Sequence, residues 1–259
     1  MTATRLEHPL ITITNLIWSY DQDAQCVSLL LVRRADPPYQ GFWALPETAM
    51  RVQESAHDAA LRLVREKIGL ALASSHSEQL ATFTEPTRAP RKRALSLAYM
   101  TFLPEQPPLH AGPGTTDAQW FALAGVNDWQ FVLTGHGAEF KTLAANDYLV
   151  QHDPTHTLAY DHNWIVTVAC SRIAGKLDYQ PTILLTLGVT FTLRQARTIF
   201  ALFRHVSLAQ VDNSNFLREH RKWLRQTGEE NRTHPGRPAK LYSLRDLAIH
   251  PTQTTPAAP

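Results

Sequence analysis

The stretch from Gly41 to Leu70, GFWALPETAMRVQESAHDAALRLVREKIGL, limits the possible folds of this chain more than any other. At about 100° per residue, Leu61, Val64 and Ile68 share one face of a helix, and residues 63, 66 and 67 share the opposite face. The first face is expected to pack and the second to look at a site. That second face carries Leu63, Glu66 and Lys67: one hydrocarbon, one acid and one ammonium.

The same stretch resembles the Nudix box, G-x5-E-x7-R-E-U-x-E-E-x-G-U with U aliphatic. Glu54, Arg62, Val64, Glu66, Gly69 and Leu70 match it, while Thr48 replaces the opening glycine and Leu63 and Lys67 replace two acids. In a working box that helix face holds magnesium through carboxylates, which are hard oxygen ligands that bridge the cation to substrate phosphate oxygens. Here Lys67 opposes a cation and Leu63 cannot replace a ligand. The resemblance therefore implies a Nudix fold that keeps a pocket for a phosphate compound, with no catalytic residue, metal site or cofactor expected. An unrelated amphipathic helix and an active enzyme with relocated acids are the alternatives.

At 259 residues the chain can form one large domain or two ordinary ones. Its longest apolar run, near residues 182–191, is too short for a bilayer, and residues 1–16 lack the pattern of a secretory signal. Cys26 and Cys170 show no metal-like spacing, so a reduced, cytoplasmic protein without membrane association is expected. Charge is uneven along the chain. Residues 191–250 hold 11 Lys and Arg against 5 Asp and Glu, a net +6, and the remainder holds 14 against 18, a net −4. A basic end points to a polyanion such as nucleic acid, although a solvated basic face has the same signature.

Residues 10–18 and 26–32 read as strands around a polar turn at 20–25, the second ending in Arg33 and Arg34. An arginine there is either a surface residue or a bidentate clamp for a diphosphate; the strand, arginine, Pro-loop and Gly-x-Trp-x-Leu-Pro order of the Nudix pattern favours the clamp for Arg34. Trp43 reads as partly core and partly base-stacking. Residues 79–84 and 93–103 read as strands flanking a loop with Arg88, Arg91, Lys92 and Arg93, a cluster able to grip a sugar diphosphate without a metal. Residues 118–123 read as the last strand of the first domain and 128–149 as a hairpin turning at 134–137. His110, His136, His152, His156 and His162 have no recurrent ligand spacing and read as surface or satisfied polar residues.

Residues 160–176 read as a helix with Asp161 as its cap, followed by a strand at 183–187, a helix from Thr192 to about 204 and a last helix from Asp212 or Asn213 to about 226. That order, closed by a loop and a returning strand at 239–244, suits a winged helix-turn-helix. The last helix carries Asn215, Arg218, Arg221, Lys222 and Arg225, with Phe216, Leu217 and Trp223 as core anchors. Asn215 and Arg218 suit base edges, and Arg221, Lys222, Arg237 and Lys240 suit phosphates or the minor groove.

The runs EQLATF, RAPRKR and SLAY, then Y-D-H, Y-x-P, F-T-L, N-F and GRPAKLY, resemble the Nudix-related transcriptional regulators of NAD metabolism, and they occur in that family's order. The fold class expected is α/β: a Nudix fold, a mixed sheet between helices, over residues 1–157, then a winged helix-turn-helix domain over 158–248 and a disordered tail over 249–259. The resemblance implies a homodimeric repressor of NAD biosynthesis or salvage genes, with double-stranded operator DNA and ADP-ribose or a related nucleotide sugar as partners. The expected ligand set is Arg34, Trp43, Arg51, Glu66, Arg88 and Arg91. The expected DNA set is Arg194, Asn215, Arg218, Arg221, Lys222, Arg237 and Lys240, and the helix at 160–176 is the expected lever. Glu47 and Thr48 in place of Gly-Gly, the insertion at 125–157 and a sparse basic first turn in the last helix depart from the family pattern. A regulator of sugar metabolism with another ligand and an active nucleotide-sugar pyrophosphatase remain as alternatives.

Overall fold

The computed structural model describes residues 8–68, 77–126, 130–143, 155–231 and 238–245. The first two apolar runs form a hairpin, β1 (Leu10–Asp21) and β2 (Cys26–Arg34), around a turn at 22–25. Strands β5 (Ser77–Phe83), β6 (Ala94–Leu103), β7 (Thr115–Gly125), β8 (Phe131–Gly135) and β9 (Ala138–Lys141) complete a sheet of order β5-β6-β1-β2-β7-β8-β9. Two short strands attach to it, β3 (Trp43–Ala44) on β2 and β4 (Glu47–Ala49) on β1. The β1–β6 pairing is parallel and the others are antiparallel, so the sheet is mixed. Strands β8 and β9 form the expected hairpin, turned by His136 and Gly137 with φ of 49° and 76°, the pair of positive values that matches strand twist.

Side-chain alternation divides the sheet into two apolar faces. Ile13, Ile17, Leu30 and Val32 face Ala59, Ala60 and Val64 of α1 (Ala56–Ile68), whose start is capped by Ser55, the Oγ accepting from the Asp58 amide at 3.1 Å. Leu16, Trp18, Leu29, Leu31 and Phe102 face the other way. They pack with Ile165, Ala169 and Ile173 of α2 (His162–Lys176) and with Ile183 and Leu184. The sheet thus lies between helices.

The strand expected at 183–187 is instead a 3₁₀ helix (Thr182–Leu187), with five of its six side chains buried. A short apolar run buried on all sides carries no period to separate the two outcomes. Helix α2 is also fastened to the sheet: the Leu45 amide donates to His162 Nδ1 at 3.0 Å, Asn163 Nδ2 donates to the Lys141 carbonyl at 3.0 Å, and Lys176 meets Glu78 at 2.7 Å. The expected domain boundary between residues 157 and 158 falls inside this bonded unit.

Beyond it come β10 (Phe191–Thr192), α3 (Leu193–Phe203), a one-turn 3₁₀ helix (Leu208–Gln210), α4 (Asn213–His220), β11 (Leu224–Asn231) and β12 (Ala239–Leu244), with a three-stranded sheet of order β10-β12-β11. Thr192 begins α3 as expected, in a capping box with Gln195. The helices and the antiparallel β11–β12 ribbon make the winged helix, and its Ile199, Phe200, Phe203, Phe216 and Tyr242 join the apolar cluster of the larger sheet. Helix α3 touches that sheet at both ends. Gln195 Nε2 donates to Gln22 Oε1 at 2.6 Å, and the His205 ring lies 4.4 Å from Phe131.

Candidate functional site

The box loop and α1 place Glu54, Arg62 and Glu66 together. Arg62, only 6% exposed, donates to Glu54 at 2.6 and 2.8 Å, to Glu66 at 2.9 Å, to the Ala49 carbonyl at 3.0 Å and to Thr48 Oγ1 at 3.2 Å. Arg51 adds a second cation on Glu66 at 3.1 Å. The Arg62 guanidinium holds the Glu54 carboxyl down at about 2, and the two acids raise Arg62 in return. Lys67 donates to the Pro113 carbonyl at 2.5 Å, and burial lowers its ammonium against the pull of Glu66.

Leu63 corrects one expectation. It is fully buried, whereas Leu61 is only half-buried, so the packed stripe runs through Ala59, Ala60, Leu63 and Val64 and only Glu66 and Lys67 remain on the open side. These residues do not fit magnesium: both carboxylates are already matched by guanidinium, and the neighbouring positions supply a buried hydrocarbon and an ammonium. Among the described residues no group of three His, Cys, Asp or Glu is arranged to hold a metal ion.

The wall beside the box is built from the 35–42 loop and the residues preceding α2. Arg34 Nε donates to the Pro38 carbonyl at 2.9 Å, and its guanidinium lies 4.9 Å from the Tyr160 ring centre. Tyr39 meets Tyr160 edge-on at 4.9 Å and Phe42 at 5.4 Å. Burial raises the Tyr160 phenol despite Arg34. Arg34, Tyr39, Phe42 and Tyr160 thus form a cationic and aromatic rim, of which only Arg34 was singled out as a candidate. Trp43 does not join it; the ring is 7% exposed and packs edge-on against Phe121 at 4.9 Å, inside the core.

Arg88 is the second correction. Instead of facing an open pocket it is buried, paired through two parallel bonds of 2.9 and 3.0 Å with Asp161, itself buried. Asp161, expected as a helix cap, therefore makes no side-chain cap bond. Arg91 and Lys92 stay exposed at the loop tip, and Arg93 instead holds the loop through the Thr84 and Glu85 carbonyls. Glu47, a departure from the family pattern, accepts from Thr14 at 3.1 Å and faces His162 Nε2 at 3.9 Å. Because His162 Nδ1 accepts the Leu45 amide, its proton sits on Nε2, toward Glu47. Burial works to raise Glu47, but His162, then Arg88 and Thr14, outweigh it and hold the carboxyl low.

In the winged helix, Asp212 caps α4 by accepting from the Asn215 amide at 2.8 Å. The helix ends at His220, short of the expected 226, and from Leu224 the chain is paired in β11; the His220 ring stacks on Phe216 at 4.4 Å and meets Phe200 edge-on at 4.7 Å. Arg221 and Lys222 thus lie in a turn and Arg225 on β11, while Asn215 and Arg218 are on the helix, all of them exposed. Lys222 Nζ sits 4.8 Å over the Trp223 ring. Arg194 on α3 and Lys240 on β12 are also exposed; Arg237 lies outside the described residues. Arg197, not anticipated, fixes the turn between α3 and α4 through the Val211 carbonyl at 2.7 Å and the Leu208 carbonyl at 3.2 Å.

A separate cleft of about 1210 Å³ lies away from the box, between α2, the β8–β9 hairpin and the end of α3, with Trp164, Tyr179, Phe131 and Phe203 on its walls. No described helix is long and apolar enough to cross a membrane.

The NUDIX domain model matches residues 12–139, and the NrtR DNA-binding winged helix domain model matches residues 184–244. The ADPR responsive transcriptional repressor NtrR of Acinetobacter baylyi is 24% identical over 197 residues, which span 75% of this chain and 66% of that protein, just under two thirds of its length. A crystal structure of a MutT/nudix family protein from Enterococcus faecalis matches with a TM-score of 0.82 at 29% identity, over 95% of this chain and 90% of that one. The crystal structure of Shewanella oneidensis NrtR complexed with a 27mer DNA matches in fold, with a TM-score of 0.65 at 22% identity over 91% and 93% of the two chains. With the mixed sheet, the box and the winged helix all in place, the chain resembles the Nudix-related transcriptional regulators in its order of parts, a stretch matching the NUDIX domain followed by one matching the NrtR winged helix domain.

Proposed function

We propose that this chain is a DNA-binding repressor that senses ADP-ribose or a related nucleotide sugar through a catalytically degenerate Nudix domain, acting as a homodimer on genes of NAD synthesis or salvage. The observation that carries this reading is Arg62: it lies between the two acids the box retains and pairs with both, and with Arg51 on Glu66 the two acids are matched by two cations. A site in that state offers no free acid to a cation and meets an anion through Arg34, with Arg51 beside it on Glu66. The resemblance to the Acinetobacter protein, an ADPR responsive repressor, supports the choice of ligand.

On the DNA side, Asn215 and Arg218 occupy the recognition helix, Arg221, Lys222 and Arg225 follow it, and Arg194 and Lys240 flank it on other elements. An exposed basic surface carried on a helix and a β-ribbon suits groove and phosphate contacts together. Ligand can release operator only if it binds one arrangement of the domains better than the other; a difference of about 3 kcal/mol changes operator affinity roughly a hundredfold. The test is a gel-shift of purified protein on its own upstream DNA at several salt concentrations, with ADP-ribose added. Release by ADP-ribose without magnesium-dependent formation of AMP is expected. Turnover of ADP-ribose at ordinary enzyme rates would favour the pyrophosphatase reading instead.

A further inference from the structure

Three consecutive residues hold the start of α2 against three different loops around the box. Tyr160 lies against Arg34 and Tyr39 of the 35–42 loop, Asp161 is paired with Arg88 of the 84–93 loop, and His162 accepts the amide of Leu45 just before β4. Tyr160 takes this position with φ of 55°, a left-handed conformation that a non-glycine residue adopts only when its surroundings impose it.

The opposite end of α2 reaches the DNA-binding helices. Asp178, two residues beyond it, pairs with Arg204 at the end of α3 and lies 3.5 Å from His220 Nε2 at the end of α4. One helix therefore joins the loops around the box to both helices of the winged domain.

The bond at the head of this helix has a particular chemistry. A guanidinium donating two parallel bonds to a carboxylate presents the same fork to a phosphate. Both partners are nearly dry, with side-chain exposures of 2% and 4%, so an anion can claim Arg88 only by displacing Asp161.

We infer that the Arg88–Asp161 pair is a latch, closed in the operator-binding arrangement and opened when a diphosphate-bearing effector takes Arg88 from Asp161. This rests on the effector reading above and adds its regulation. Opening frees Asp161, lets Tyr160 leave its left-handed conformation, and releases the head of α2 from the site loops. The motion arrives at α3 and α4 through Asp178. In this scheme Arg88 binds the effector and Asp161 is a positioning residue, and the coupling is carried by one rigid element with two placements.

The test uses the full chain, with operator affinity measured by fluorescence anisotropy and ADP-ribose affinity by calorimetry. Asp161→Asn keeps the shape of the side chain and weakens the latch. It is expected to lower operator affinity about tenfold without effector and to raise ADP-ribose affinity, because it shifts the chain toward the open arrangement that the effector selects. A purely structural role would instead lower both affinities together, and that result, or two unchanged affinities, overturns the latch. Hydrogen exchange on the unmodified protein guards against misfolding of the variant: ADP-ribose should speed exchange of the 159–165 amides, and slower or unchanged exchange there counts against the latch. A wild-type chain without ADP-ribose affinity removes the effector reading and the latch with it; normal wild-type binding with the wrong variant pattern removes the latch alone.

Discussion

Arg62 and Glu54 meet through two parallel bonds of 2.6 and 2.8 Å, eight residues apart in the chain, at the place where the box acids would otherwise face a cation. The pairing leaves a signature in acid. Arg62 holds the folded Glu54 carboxyl at about 2, against 4.5 for the ordinary group. Since the folded value is the lower one, the stabilisation is complete above about 4.5 and disappears as pH falls through about 2. Urea unfolding across that range should show a fall in stability that Glu54→Gln reduces. The Glu54 side chain is 13% exposed and that of Arg62 6%, so added salt should shrink the effect only in part. An identical pH slope in wild type and variant would mean that the pair contributes nothing.

Leu63 supplies a second prediction. It is fully buried, so Leu63→Ala should cost about 2–5 kcal/mol in chemical denaturation, the range for deleting a core leucine side chain. Leu63→Glu should be worse, as it places an unpaired carboxylate in that core. Restoring the acid of a working box at this position would therefore damage the fold before it offered a ligand. A Leu63→Glu protein as stable as wild type would show that the side chain can turn toward the site.

Much of the larger sheet was visible in the sequence, because β1, β2 and β6 are apolar runs bounded by polar turns and Thr192 announces α3. The register of α1 was not, since Ala59 and Ala60 define the packed stripe with Leu63 and small side chains weigh little beside Leu61 in a face count. The end of α4 was hidden for a different reason. No Gly or Pro stops it; four residues on, Leu224 pairs across to Leu244 in β11, a tertiary contact that no local pattern announces. The fate of Arg88 was equally out of reach, because its partner lies 73 residues away and no local pattern announces a buried pair.

Arg197 leads to a third prediction, on the integrity of the winged domain. Its guanidinium satisfies the Val211 and Leu208 carbonyls, which close the turn between α3 and α4. Arg197→Ala should cost about 1–3 kcal/mol, the penalty for leaving such acceptors without their charged donor. It should weaken binding to every DNA sequence alike, because the turn sets the placement of the whole recognition helix. Unchanged stability in thermal or urea unfolding would show that water replaces the guanidinium at both carbonyls.

The proposed DNA surface can be divided by its response to salt and sequence. Arg218 is exposed on α4 one helical turn from Asn215, where a side chain can reach a base edge; Lys240 is exposed on the β12 ribbon, where it can reach phosphate. Arg218→Ala should cost about 1–3 kcal/mol on the operator and relax the preference at the base pair it reads. Lys240→Ala should weaken operator and random duplexes nearly equally, and should reduce the slope of log affinity against log salt by about 1, the share of one phosphate contact. Anisotropy titrations on both duplexes at four salt concentrations separate the two cases. If Arg218→Ala lowered the salt slope and left the operator-to-random ratio intact, α4 would be gripping backbone, and base reading would have to come from another element.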